Sequence, residues 1–166
     1  IYKILKGNVL NNVMGNCVTI APDQRLFNQL AKVSPKDVSL FSLKGNRYPC
    51  RIVSVYDGDT CTALFKLDKN FVKFKVRMLG YDSPEMKPRL NIPDRDKIKE
   101  DAIKAREALV EKTKNKKIIL HCGDWDKYGR LLGTLYEGNL NINEWILESE
   151  YGYRYDGGRK RKVNEV

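Results

Sequence analysis

Alternating apolar and polar residues dominate the chain between positions 50 and 80. The stretch TCTALF (60–65) places Cys61, Ala63 and Phe65 on one face, and FVKFKVRML (71–79) alternates apolar with basic residues. In RIVSVY (51–56) strict alternation predicts two faces, namely Arg51, Val53 and Val55 against Ile52, Ser54 and Tyr56. Asp-Gly at 57–58 and Asp-Lys-Asn at 68–70 are turn sequences. The pattern therefore predicts three strands in a meander.

The second half of the chain changes period. Residues 84–96 contain three prolines and predict a loop. The next stretch, up to residue 117, is an amphipathic helix whose apolar positions are Ile98, Ala102, Ala105 and Leu109. KIILHC (117–122) and RLLGTLYE (130–137) predict two more strands, and Asn141 with Glu144 predicts the capped start of a last helix. Without β-α-β alternation, the order favours an α+β fold, a small antiparallel barrel with helices outside.

The charge narrows the class of partner. The 166 residues are enough for one domain with a core, and the net charge is +10. Such an excess of lysine and arginine favours a polyanion, with nucleic acid ahead of an anionic membrane surface. No run of eighteen apolar residues occurs, so we expect no membrane span.

The cysteines bear on redox state and compartment. The four cysteines lie far apart, and with one histidine in the chain a structural zinc site is disfavoured. Free thiols are the preferred interpretation, which favours an intracellular compartment, and a Cys50–Cys61 disulfide stays open. Because the first residue is Ile1, we expect a trimmed N-terminus, which leaves localisation undetermined.

Acidic and arginine side chains recur at the ends of the predicted strands. Asp59 opens the second strand, Arg77 lies on the polar face of the third, Asp82 and Glu85 follow it, and Arg130 opens a later strand. Because a meander returns the chain, Asp59 and Asp82 can approach one ion. Two aspartates suit Ca²⁺ or Mg²⁺, a glutamate can take a proton from water, and arginine matches phosphate geometry. The set therefore suits phosphodiester hydrolysis.

Each of these residues has an ordinary structural interpretation when taken alone. Asp57-Gly58-Asp59 is first of all a hairpin turn, and we assign Asp57 to that turn. Arg77 alone is a solvated strand residue, and Arg130 alone is unremarkable. Their joint occurrence is what favours a site.

Three segments carry a family resemblance. DGDT (57–60), VRMLGYDSPE (76–85) and DKYGR (126–130) resemble, in order and spacing, the signature segments of the staphylococcal nuclease (thermonuclease-like) family. The resemblance covers about residues 48–156. It implies an OB-fold five-stranded antiparallel Greek-key barrel with packed helices. It also implies Ca²⁺-dependent cleavage of DNA and RNA at the 5′ side of the phosphate, leaving 3′-phosphate ends.

The resemblance also implies roles for individual residues. The implied calcium ligands are the Asp59 and Asp82 carboxylates and the Ser83 carbonyl. The implied catalytic residues are Arg77, Glu85 and Arg130, with Glu85 as the general base. The implied substrate-binding residues are Lys127, Tyr128 and a tyrosine after the last helix, for which we favour Tyr155 over Tyr151 and Tyr153.

The sequence also predicts a division into domains and leaves an alternative function open. We expect a partly helical N-terminal extension at 1–45, a nuclease-like domain at 46–156 and a basic tail at 157–166. The expected partner is nucleic acid, DNA or RNA, with single strands favoured, and the oligomeric state is undetermined. The alternative is a non-catalytic OB-fold module that binds nucleic acid or protein, as in Tudor-staphylococcal nuclease proteins.

Overall fold

The protein is described here by a computed structural model that covers residues 23–158. Its chain forms two compact units that divide after Leu40. The first contains helix α1 (Gln24–Leu30), whose cap Asp23 accepts a hydrogen bond from the Leu26 N–H at 3.2 Å, and a 3₁₀ turn at Pro35–Asp37. Residues 1–22 and 159–166, with Cys17 and most of the predicted basic tail, lie outside the described residues. The predicted domain boundaries stay predictions.

The second unit is a closed barrel. Its strands are β1 (Arg47–Asp57), β2 (Thr60–Leu67), β3 (Asn70–Met78), β4 (Tyr81–Asp82), β5 (Ile118–Trp125), β6 (Leu131–Glu137), β7 (Leu140–Asn141) and β8 (Tyr153–Arg154). The barrel strands run in the order β3-β2-β1-β5-β6. These neighbours pair antiparallel, and a parallel pairing of β3 with β6 closes the barrel. The predicted five-stranded barrel with packed helices is confirmed.

The barrel interior follows the alternation read from β2 and β3. Cys61, Ala63 and Phe65 of β2 are buried, as are Val76 and Met78 of β3. Apolar side chains on one face of a strand leave water together, which is what fixes the register of the sheet. Lys73 and Lys75, which alternate with the apolar residues of β3, are exposed on the outer face of the barrel, whereas Arg77 is buried.

The predicted faces of RIVSVY were wrong because β1 is irregular. Ile52 pairs with Ala63, but the next pair is Ser54 with Thr62, and the pair Val55 with Cys61 is followed by Asp57 with Thr60. Two extra residues, Val53 and Tyr56, lie at these irregularities. Each β-bulge adds one residue and reverses the alternation, so strict periodicity fails there.

Two helices pack on the barrel unit. Helix α2 (Arg95–Thr113) buries the predicted Ala102, Ala105 and Leu109, and Arg106 Nε donates to the Val55 carbonyl of β1 at 3.2 Å. Helix α3 (Ile142–Glu148) begins at the predicted cap, where Asn141 Oδ1 accepts from the N–H groups of Asn143 and Glu144 at 3.1 and 3.3 Å. No helix of the described chain is long and apolar enough to cross a membrane.

The buried amide of Asn143 anchors the chain that leads into the candidate site. It donates to the carbonyls of Leu79 and Gly133 at 2.9 and 3.1 Å and accepts from the Leu135 N–H at 3.1 Å. Residue 79 immediately follows β3, so α3 and β6 hold the start of the β3–β4 connection.

The described cysteines are free thiols. Cys50, Cys61 and Cys122 form no disulfide, so the Cys50–Cys61 bridge that the sequence left open is not formed. Burial raises the pKa of Cys50 and Cys61 to about 12 each and that of Cys122 to about 11. These thiols are therefore protonated at neutral pH.

Candidate active site

The β1–β2 turn is packed tightly against its neighbours. The Asp59 N–H donates to Asp57 Oδ1 at 3.1 Å, and the Tyr81 hydroxyl donates to the Gly58 carbonyl at 2.8 Å. A Cβ on Gly58 would lie 2.7 Å from the Cβ atoms of both Ala105 and Ser83. Glycine is therefore required by close approach, and the turn directs Asp59 towards the segment after β3. Burial raises the pKa of Asp57, against hydrogen bonds from Thr60 and the charge of Arg77.

Asp59 is the centre of a hydrogen-bond network although it is only 4 % exposed. Its Oδ2 accepts from both the Ser83 N–H and the Ser83 hydroxyl at 2.9 Å. Its Oδ1 accepts from the Thr60 hydroxyl at 2.9 Å and contacts Arg77 Nη1. A buried carboxylate requires such partners, because transfer from water is otherwise very costly.

Arg77 joins the two aspartates. Its Nη2 donates to Asp82 Oδ1 at 2.6 Å and lies 3.3 Å from the Tyr81 carbonyl, while Nη1 contacts Asp59. Asp82 is only 1 % exposed. One guanidinium therefore holds two buried carboxylates side by side, at the start of β2 and on β4. The two predicted calcium ligands converge, and Ser83 lies beside them.

Tyr153 contacts Asp82 of this acidic pair. β8 pairs with β4 so that Tyr153 lies opposite Asp82, and its hydroxyl donates to Asp82 Oδ2 at 3.0 Å. Burial raises the Tyr153 pKa, and the charges of Asp82 and then Glu85 raise it further. Glu85, exposed on the segment after β4, is therefore close enough to act on the same phenol.

A short loop brings Arg130 to the other side of Asp59. Asp126 Oδ1 accepts from the N–H groups of Tyr128 and Arg130 at 2.9 and 2.8 Å, and Oδ2 accepts from Arg130 Nε at 2.6 Å. Burial raises the Asp126 pKa, but these hydrogen bonds outweigh it, and the pKa lies below its usual value. Arg130 Nη1 then lies 3.5 Å from the Thr60 hydroxyl, which itself donates to Asp59.

Sequence reasoning missed the role of Asp126. Its place four residues before Arg130, in a loop that turns at Gly129 with φ of 76°, was the available signal. An aspartate that accepts backbone N–H groups two and four residues onwards is a common loop device. The sequence does not indicate the contact of Tyr153 with Asp82, because the β4–β8 register is a tertiary feature that one sequence does not specify.

The predicted substrate-binding residues fall into two places. Tyr128 is 72 % exposed, and its ring centroid lies 5.1 Å from Lys127 Nζ and 5.5 Å from Arg130 Cζ. Lys127 and Tyr128 therefore adjoin Arg130. The Tyr155 hydroxyl instead donates to the Gly158 carbonyl at 2.7 Å, and its role stays a prediction.

The acidic pair suits a hard cation. Within residues 23–158, no three His, Cys, Asp or Glu side chains are grouped to hold a metal by themselves. Two buried carboxylates held side by side nevertheless need positive charge between them, which Arg77 supplies in this structure. Carboxylate and carbonyl oxygens are the ligands that Ca²⁺ prefers, and it accepts waters for the rest. The residues present therefore fit calcium.

Comparison with known proteins gives the same family as the motifs. The sequence model described as staphylococcal nuclease homologue matches residues 75–164. An uncharacterized protein of Methanocaldococcus jannaschii is 33 % identical over 64 % of this chain and 58 % of its own length. A probable staphylococcal-like nuclease of Oryza sativa subsp. japonica is 32 % identical over 54 % of this chain and 21 % of its own length. An uncharacterized endonuclease of Haemophilus influenzae is 29 % identical over 64 % of this chain and 52 % of its own length.

These matches identify the family, but they cover only part of each relative. The chain spans a fifth to three fifths of the length of these relatives. The family model covers more than half of the chain, including Arg77, Asp82, Glu85 and Arg130. With the barrel and the convergent acids, this match places the chain in the staphylococcal nuclease homologue family.

Proposed function

We propose that this chain is a calcium-dependent nuclease that hydrolyses phosphodiester bonds of DNA and RNA. The observation that carries the proposal is the meeting of two buried carboxylates, Asp59 and Asp82, on the Arg77 guanidinium. Isolated buried charge costs several kcal/mol and is retained where chemistry needs it. The names of the rice and Haemophilus relatives, a nuclease and an endonuclease, support the same class of activity.

The proposed calcium ligands are the carboxylates of Asp59 and Asp82 and the main-chain carbonyl of Ser83. A bound Ca²⁺ offsets the negative charge of a substrate phosphate and orients its oxygens. The side-chain and main-chain donors of Ser83 keep Asp59 fixed, and the Tyr153 hydroxyl does the same for Asp82. Such second partners orient a ligand and maintain its ionised form.

The chain's own side chains supply the remaining chemistry. Glu85 accepts a proton from the attacking water, whose oxygen forms a bond to phosphorus as the bond to the 5′ oxygen breaks. Arg77 and Arg130 donate hydrogen bonds to the phosphate oxygens as charge grows on them. The contacts of Arg77 with Asp59, Asp82 and Tyr81 use three of its five N–H donors, and we propose the other two as the donors to phosphate.

We propose that residues around the catalytic centre bind the substrate strand. Lys127 and Tyr128, beside Arg130, would contact a terminal phosphate, and Tyr155 would contact a base. Cleavage on the 5′ side leaves a 3′-phosphate on one product and a 5′-hydroxyl on the other. A tyrosine that stacks on a base favours unpaired bases, so we propose single-stranded substrates.

The test is cleavage of labelled single-stranded DNA and RNA by purified protein, in Ca²⁺ or in a chelator. We expect cleavage in Ca²⁺ alone, with products that a 3′-phosphatase converts to 3′-hydroxyl ends. Glu85→Gln should lower turnover by about 10²–10⁴-fold, because a carboxamide takes no proton from water. Glu107→Gln, on helix α2, is the matched control and should leave turnover unchanged.

Two results would overturn the proposal. A wild-type chain that binds single strands without cleaving them, with or without Ca²⁺, would be the non-catalytic OB-fold module instead. Turnover by Glu85→Gln at the wild-type rate would remove Glu85 from the mechanism.

A further inference from the structure

A groove of about 340 Å³ opens beside the candidate site on the outer face of the barrel. The site contributes Asp57, Thr60 and Arg130 to its wall. The rest of the lining has no role in the chemistry above and comprises Ser54, Tyr56, Cys61, Thr62 and Lys75. The groove therefore leads away from the reacting phosphate across β1, β2 and β3.

The strand register continues this surface in rows. Arg77, Lys75, Lys73 and Phe71 follow one another on β3 and pair with Thr60, Thr62, Leu64 and Lys66 of β2. With a rise of about 3.3 Å per residue, Lys75 and Lys73 lie about 7 and 13 Å beyond Arg77. That length matches about four phosphates at the 3.4 Å spacing of a stacked strand, and fewer in a stretched one.

A second cavity lies at the far end of the same face. It has a volume of about 570 Å³, with an apolar floor that includes Leu64 and Phe65. Its cationic residues are Arg51, Lys66, Lys116 and Lys117, of which Lys116 pairs with Glu137 at 2.9 Å. Phe71, also in the lining, is 77 % exposed. Positive charge therefore follows the face from one end to the other.

Tyr56 gives the near end an aromatic surface. It is 65 % exposed and lies at the second irregularity of β1, between the pairs Val55–Cys61 and Asp57–Thr60. A β-bulge re-aims a side chain, and here Tyr56 lines the groove beside Lys75. Exposed aromatic rings among lysines are the features with which proteins hold single strands, by stacking bases and neutralising phosphates.

We propose that the outer face of β1–β2–β3, from Arg130 and Tyr56 to Phe71, is a track that binds single-stranded nucleic acid beyond the cleaved phosphate. The identification of its ligand as substrate rests on the proposed function. Lys75 and Lys73 contact phosphates of the strand, and Tyr56 stacks on a base. A duplex hides its base faces, so the aromatic part of the track discriminates against it.

The test is equilibrium binding in a chelator, where no metal-dependent cleavage occurs. The probes are a dye-labelled oligothymidylate of about twelve nucleotides, a labelled dinucleotide, and a duplex of the longer length. Lys73→Gln with Lys75→Gln should weaken binding of the long strand about tenfold and reduce the steepness of its logarithmic salt dependence by about 1.4. The dinucleotide should lose less affinity than the long strand, because it spans about two phosphates and does not reach Lys73.

The matched control removes the same charge elsewhere. Lys97→Gln with Lys104→Gln, on exposed positions of helix α2, should leave binding of the long strand within about twofold. Equal losses in the two double variants would mean that total charge alone matters, and would overturn the track.

Tyr56 tests the stacking part. Tyr56→Leu should weaken binding of the single strand about fivefold, whereas the Tyr56→Phe variant should bind it as the wild type does. The same loss of binding with the duplex would overturn the preference for single strands.

The two proposals can fail separately. If the wild-type chain cleaves in Ca²⁺ and the Lys73→Gln, Lys75→Gln variant binds the long strand normally, the chain has a nuclease site without this track. If that variant loses binding of the long strand but the wild-type chain never cleaves, the chain has the track without nuclease activity.

Discussion

Arg77 has two tasks at the residue scale. In this structure it compensates Asp59 and Asp82, and in the proposed reaction it donates to the substrate phosphate. Residues that neutralise buried carboxylates contribute to folding as well as to chemistry. Activity and stability are therefore coupled at this one side chain.

Arg77→Ala should lower turnover by about 10²–10³-fold and the free energy of unfolding by about 3–5 kcal/mol. Denaturant unfolding at neutral pH and initial rates measure the two effects. Arg47→Ala, at the exposed start of β1, should change neither quantity appreciably. A fully stable Arg77→Ala chain would contradict the pairing.

Asp126 is proposed as a positioning residue for Arg130. Asp126→Asn keeps an acceptor for the loop N–H groups but removes the charge opposite Arg130 Nε. We expect turnover to fall about tenfold with a small change in KM, because Arg130 then acts from a looser position. Asp124→Asn, two residues earlier and exposed, is the control. An unchanged kcat would show that the loop alone positions Arg130.

The same variant carries a pH signature. The pKa of Asp126 is lower in the folded chain, so its contribution to stability is present above the unfolded value of about 3.9. That contribution is lost as the pH falls through the lower folded pKa. Wild type should exceed Asp126→Asn by about 1–2 kcal/mol at neutral pH, and the difference should vanish in strong acid. A difference independent of pH would contradict this account.

At the scale of elements, the β1–β2 turn packs against helix α2 and against Ser83 beside the acidic pair. Gly58→Ala should cost about 1–3 kcal/mol of stability, because the new methyl group would press on Ala105 and Ser83. It should also lower turnover, because Ser83 fixes Asp59 through two hydrogen bonds. Gly158→Ala meets no atom within 4 Å and is the control. Thermal unfolding and initial rates measure both effects.

The elements also show where one sequence suffices. Unbroken alternation specified the faces of β2 and β3, and the apolar spacing specified the buried face of α2. The same reasoning failed for β1, because its irregularities at Val53 and Tyr56 reverse the alternation of inward and outward side chains. Register between distant strands, such as Asp82 with Tyr153, depends on packing that periodicity does not encode. Asp59 and Asp82 were identifiable from the sequence because they follow turns. That the Arg77 guanidinium contacts both carboxylates was not identifiable from the sequence.

At the scale of the whole molecule, barrel closure assembles the site. β3 pairs with both β2 and β6, so the β1–β2 turn, the segment after β3 and the loop before β6 converge at one end. The chain has a net charge of +10, whereas the candidate site has a small, buried acidic centre. The positive net charge attracts a polyanion, while the acidic centre suits a divalent cation.

The central claim is that Asp59 and Asp82 together hold one divalent cation, and its most direct measurement is the Ca²⁺ dependence of thermal unfolding. We expect Tm of the wild-type chain to rise with Ca²⁺ into the millimolar range, because a ligand that binds only the folded state stabilises it. Asp82→Asn should abolish that rise, whereas Asp124→Asn should retain it. A wild-type Tm that ignores Ca²⁺, or an Asp82→Asn chain that responds as fully as wild type, would contradict the account.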